Sequence, residues 1–69
     1  MEFLILNETQ KDQVKGTYNS FFALDPVVLV SGIEWVLPLE VINKPEFASV
    51  NDILLSLTQR EVNQNEFPV

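Results

Sequence analysis

A small α+β domain is what this chain predicts, and three observations carry that reading. Pro26–Pro38 (PVVLVSGIEWVLP) holds two apolar, β-branched runs joined at Ser31-Gly32, the pattern of an antiparallel hairpin. Residues 2–6 (EFLIL) are a second short apolar stretch of strand character. Val50, Ile53, Leu54 and Leu57 fall at i, i+3, i+4 and i+7, one apolar stripe of a helix over 50–57. With a first helix over 8–15, the order is strand, helix, strand, strand, helix, arranged around the hairpin at 26–38.

Sixty-nine residues make one domain, 1–69. A chain of that size buries only about 60% of the surface that its unfolded form exposes, so small domains often add a covalent or metal staple. Disulfides are closed to this one because it has no Cys, and zinc sites are nearly closed because His is absent too. Packing or a partner chain must then suffice. The composition allows it: 46% of residues are hydrophobic, with five Phe, one Tyr and one Trp, which is unlike a disordered chain.

The formal net charge is −6. Its acids and bases are spread along the chain, with no acidic tail and no basic patch. Nucleic acid phosphates and anionic lipid select for clustered Lys and Arg, so both are disfavoured as direct partners. The plain reading of the charge is solubility, and the sharper one is an acidic decoy that imitates nucleic acid. Phe3–Leu6 is too short for a signal-peptide core and no positive charge precedes it. No stretch approaches membrane-spanning length. The expected location is the cytoplasm.

Asn7 reads as the N-cap of the first helix, with Gln10 at the third helical position where a capping box places Glu or Gln. Gly16 is the expected end, because a left-handed residue commonly closes a helix. Val14 is then its one clear anchor, aided by Tyr18 beyond the end. Thr17–Ser20 is polar, Phe21–Leu24 is apolar again, and Asp25-Pro26 punctuates. A two-residue turn at Ser31-Gly32 opposes Val30 to Ile33, Leu29 to Glu34, Val28 to Trp35 and Val27 to Val36. Alternation then puts Val28, Val30, Ile33 and Trp35 on one face, and Val27, Leu29 and Val36 on the other with Glu34. A bulge at Gly32 shifts that register by one on one strand.

Pro38 suits a helix start, so Leu39–Ile42 reads as a short turn that Asn43-Lys44-Pro45 breaks. Ser49 is the expected N-cap of the last helix, Phe47 anchors its start, and its stripe is expected on the Trp35 face. Arg60-Glu61-Val62 fits either a short edge strand or the end of that helix. Residues 63–69 fit either a flexible tail or a docking segment led by Phe67.

Little in the chain suggests chemistry. Nucleophilic catalysis asks for an activated Ser, Cys or Lys beside a base, and Ser31-Gly32 is turn chemistry. Glu34 and Glu40 flank Trp35–Pro38, but a working carboxylate pair needs a cleft that raises one pKa. No loop has the spacing of a calcium site, and Gly16 and Gly32 are too far apart to cradle a phosphate. The sequence points to no catalytic residue, no cofactor and no metal. Trp35 reads as core beneath the last helix, or as an exposed stacking platform.

Counting covers exposes a surplus. The last helix covers one face of the hairpin, and the first helix, with Val14 alone, covers the other poorly. Val27, Leu29 and Val36, with Phe22 and Phe67 nearby, are the candidate interaction surface, because exposed apolar patches of that kind mark contacts.

The chain also shows a pattern of N-E-T-Q-K-D-Q-V-K-G, then A-L-D-P-V-V-L, then S-G-I-E-W-V-L-P-L-E-V-I-N-K-P-E-F-A. In this it resembles small uncharacterised proteins carried by bacterial prophages and similar mobile elements. In those an aspartate-glycine turn precedes the W-V-L-P segment, whereas here Ser31-Gly32 is followed by Ile33 and Glu34. The resemblance implies a bacterial or phage origin, no defined activity and no functional residue. The expectation is a non-catalytic protein–protein interaction or assembly domain, its partner a protein or a second copy. The alternative is an acidic inhibitor of a nucleic-acid-binding enzyme.

Overall fold

The EFLIL run becomes an inner strand of the sheet. In the computed structural model, which describes residues 1–68, β1 (Glu2–Leu6), β2 (Val27–Val28), β3 (Trp35–Pro38) and β4 (Thr58–Glu61) form one sheet in the order β2-β3-β1-β4. All neighbours are antiparallel. Leu4 pairs with Leu37 on one side and with Gln59 on the other. A strand covered on both faces has no need of polar alternation, which is why residues 3–6 are apolar throughout. Arg60 and Glu61 thus belong to an edge strand and not to a helix end.

The first helix is longer than its glycine predicts. Asn7 caps it, with the Asn7 and Gln10 side chains bonding reciprocally to each other's backbone N–H. From there α1 runs over Glu8–Phe22, straight through Gly16. Val14, Tyr18 and Phe22 recur every fourth residue, and this apolar stripe repays continuing the helix. Gly16 points into open space, so a missing side chain there costs nothing in packing. The left-handed residue that ends α1 is Ala23, at φ 60°, whose N–H donates to the Asn19 carbonyl.

After β3 the chain coils through 3₁₀ turns at Leu39–Asn43 and Pro45–Val50 into α2, Asn51–Ser56. Ser49 is not its cap. The 3₁₀ turn runs directly into α2, and Val50 holds the cap position with no side-chain bond. The stripe itself is as expected: Val50, Leu54 and Leu57 are buried and Ile53 packs against them.

Both helices lie on one side of the sheet, which corrects the expectation that they divide its faces. Leu4, Leu6, Val14, Tyr18, Leu37, Phe47 and Leu54 share one core, and Trp35 packs against it, half-buried. Tyr18, Phe21, Phe22 and Phe47 close that core with ring centroids 4.6 to 6.5 Å apart. Such offset and edge-on pairs suit the quadrupoles of the rings. Burial raises the Tyr18 hydroxyl above its ordinary pKa. Among the described residues no helix is long and apolar enough to cross a membrane.

Candidate interaction surfaces

The hairpin register is the expected one for as long as the ladder lasts. Val27 pairs with Val36 and Val28 with Trp35, and the Leu29 N–H donates to the Glu34 carbonyl at 2.8 Å. The loop beyond is longer than two residues. Gly32, at φ 78°, donates its N–H to the Leu29 carbonyl at 2.9 Å, so residues 30–33 form the loop. Val30 and Ile33 therefore never pair. They stand 63% and 72% exposed, not under the last helix.

The face that lacked a cover on counting has one. Leu29 and Val36 are only 2% and 4% exposed, in a second core with Ile5 and Val62, flanked by Phe3 and Phe67. These two residues are thus interior, and as the free patch proposed for them they are excluded. Val27, at the rim of the same face, remains 38% exposed. Phe22 lies on the opposite side of the sheet, against Tyr18 and Phe47. Leu29, Val36 and Phe67 are brought together, then, while Phe22 is not.

The cover is the segment after β4. Val62 anchors it, with its N–H on the Met1 carbonyl at 3.0 Å. Asn63 and Glu66 then form a capping box around the 3₁₀ turn Gln64–Glu66. From this turn three contacts reach the sheet. The Val30 N–H donates to the Glu66 carbonyl at 2.8 Å. Phe67 meets the edge of Phe3 with centroids 5.4 Å apart. Arg60 donates through Nη2 to Glu66 Oε1 at 2.9 Å and through Nη1 to Glu66 Oε2 at 3.3 Å. Val69 lies outside the described residues.

Arg60 is the hub of this cover. Besides Glu66 it holds Glu34 Oε1 at 3.1 Å and the Glu61 carbonyl at 2.9 Å. The fork of a guanidinium suits a carboxylate that offers both oxygens. Its hydrogen bonds, first to Glu66 and then to Glu34, raise its own pKa. Glu66 is displaced the other way: Arg60 first, and then the Asn63 N–H, hold its carboxyl below the ordinary glutamate range. Sequence reasoning saw Glu34 as a stray charge on an apolar face. The signal it left was the chain's one arginine, placed by alternation on that same face.

Among the described residues eight large apolar side chains are exposed: Val27, Val28, Val30 and Ile33 lie together at the hairpin, and Met1, Phe21, Leu24 and Leu55 lie elsewhere. Val27–Val28 is an edge strand. Residues 26–33 carry no charge between Asp25 and Glu34. Elsewhere the surface has shallow clefts of 240, 330 and 310 Å³, at or below the low end of ligand pockets. Among the described residues, no three acidic, His or Cys side chains converge as a metal site would require. Compared with known proteins, the chain matches no family model, no curated protein and no solved structure.

Proposed function

We propose that this chain is a non-catalytic protein–protein interaction module of the cytoplasm, in keeping with the phage-derived proteins that it resembles, and that it meets a second copy of itself through the hairpin rim. The carrying observation is the exposure of Val30 and Ile33 beside the open β2 edge. The β2 edge is only two residues long, so the contact rests on the apolar rim of Val27, Val28, Val30 and Ile33 rather than on strand addition. Charge directs the contact as well. Copies carrying a net −6 repel one another, and the uncharged stretch 26–33 lets them approach there at low cost. Light scattering at micromolar concentration is expected to give more than the monomer mass, and the double variant V30S/I33S is expected to return the monomer. A wild-type protein that stays monomeric throughout sinks the self-association.

A second reading, the acidic decoy, draws on how the bases are occupied. Three of the four bases are engaged, Lys11 on Asp12 and over Trp35, Lys44 over Phe21, and Arg60 on Glu34 and Glu66, and the ten carboxylates outnumber all four. Salt-sensitive inhibition of a nucleic-acid-binding enzyme by the purified protein is its expected signature. Full activity of such enzymes at a large excess of the protein counts against it.

A further inference from the structure

The segment that covers the second face is held as a ligand is held, and the contacts say what else fits there. Its grip on the sheet is one main-chain bond, one carboxylate in a guanidinium fork and one ring against a ring. Residues 64–66 form a 3₁₀ turn and no strand of the sheet. Receptor grooves for peptides use this same division, with main-chain bonds for affinity and a few side-chain pockets for selection.

The receptor half is organised without the segment. Leu29, Val36 and Ile5 form its floor and belong to strands or to the closed end of the hairpin. Glu34 and the Glu61 carbonyl hold the Arg60 guanidinium from behind, at 3.1 and 2.9 Å, so both can keep it aimed when Glu66 leaves. Beside the Phe67 ring a cleft of 310 Å³ stays open, bounded by Met1, Phe3, Val62 and Gln64, so the chain's own phenylalanine does not fill the space available.

We propose that this face is a peptide-binding groove for another protein, whose segment carries a carboxylate followed directly by an aromatic side chain, and that residues 63–67 occupy it as a displaceable stand-in. The partner's acid takes the place of Glu66 on Arg60, and its ring takes the place of Phe67 on Phe3. Charge complementarity favours the acid: Arg60 is the side-chain cation of this face, and of its two carboxylate partners Glu66 is the one the segment supplies. The proposal rests on the reading of the chain as an interaction module but shares with the hairpin rim only the main chain of Val30, whose N–H a serine at that position keeps, so the V30S/I33S variant is expected to leave the groove intact.

Because the resident segment is tethered, it competes at a local concentration in the millimolar range for a short linker. The test is therefore made on the full chain carrying E66Q and F67A, which weakens the resident and spares the groove. Far-ultraviolet circular dichroism confirms the fold. The probe is a fluorescently labelled peptide of residues 63–68, NQNEFP, read by anisotropy. It is expected to bind the E66Q/F67A chain saturably and the wild-type chain at least tenfold more weakly. Binding is expected to fall by a similar factor when the peptide's Glu becomes Gln, or when R60Q is added to the chain. Absence of saturable binding to the folded E66Q/F67A chain overturns the proposal, as does indifference to both the Glu→Gln peptide and R60Q. A wild-type dimer that E66Q/F67A alone converts to monomer assigns the occupant to a second copy, and overturns the assignment to another protein.

Discussion

The two faces of the sheet are closed by different physics. Leu4, Leu6, Trp35 and Leu37 lie beneath α1, α2 and the 3₁₀ turns, and the closure is aromatic and aliphatic throughout. Ile5, Leu29 and Val36 lie beneath a short returning segment whose Val62 and Phe67 pack on them, and which is held besides by Arg60 on two carboxylates, one main-chain bond and one ring pair. The first cover is non-directional, and its core holds no ion pair, so it does not turn on the protonation of a carboxylate. The second depends on charge in a site water can reach, and pairs of that kind are screened by salt. A 69-residue chain can thus divide its closure into a permanent half and a conditional half.

The strongest way to break that comparison is to open the permanent half. Phe47 is 1% exposed at the centre of the ring cluster. Phe47→Ala is expected to cost about 3–5 kcal/mol, as large-to-small changes in cores do. That is much of the stability a small domain has. Urea unfolding followed by Trp35 fluorescence should show the midpoint collapse. A loss under about 1 kcal/mol would mean that the helical cover is not the main one.

Neighbours on β3 give the direct contrast. Leu37 faces the helices and Val36 faces the returning segment. Leu37→Ala is expected to cost about 2–5 kcal/mol and Val36→Ala about 2 kcal/mol, from the carbons removed and the cavities left. Equal losses in the same urea titrations would erase the distinction between the faces.

Acid sharpens it further. Glu66 binds its proton less readily in the folded chain than in the unfolded one, because Arg60 and the Asn63 N–H favour the carboxylate. Its stabilising effect is complete above the ordinary glutamate range and is lost as pH falls through the lowered folded value. Proton NMR should show the Phe3 and Phe67 rings losing contact as pH falls through that window, while the Phe47 and Tyr18 rings hold theirs. E66Q should abolish the pH dependence of that loss, and high salt should weaken the contact at neutral pH. Simultaneous loss at both faces would contradict a conditional half.

The smallest effect is a gain. Gly16 sits inside α1 facing open space. Gly16→Ala is expected to stabilise by about 0.5–1 kcal/mol, read as a higher melting temperature, since glycine gives up the most freedom in a helix. A loss instead would mean that the helix is bent or contacted at that turn.

Local and periodic features were legible in the sequence. The Asn7–Gln10 box, the hairpin register and the stripe through Leu54 need only near neighbours, and each is found. Gly16 misled because a glycine stop is a weak signal where the apolar spacing runs on through Tyr18 and Phe22. The four-residue loop hid because Ser31-Gly32 suits several turns, and only the Leu29–Glu34 closure decides among them. The candidate surface failed for a different reason. Its cover is set by Arg60 reaching Glu34 across the chain, and no local pattern announces such a pair. Val30 and Ile33, the most exposed side chains of the hairpin, are the pair that alternation had placed in the core.

The position of β1 between β3 and β4 bears on how quickly this fold is reached. Leu4 must meet Leu37 and then Gln59, so neither partner is supplied by a local turn. Closing loops of that length costs entropy before any pairing repays it, and chains dominated by distant contacts fold slowly for their size. Until residues 58–61 arrive, one edge of an apolar strand stands open to any other chain in the same state. Refolding yield is expected to fall steeply with protein concentration, and α1, whose backbone hydrogen bonds are local, is expected to form well before the sheet.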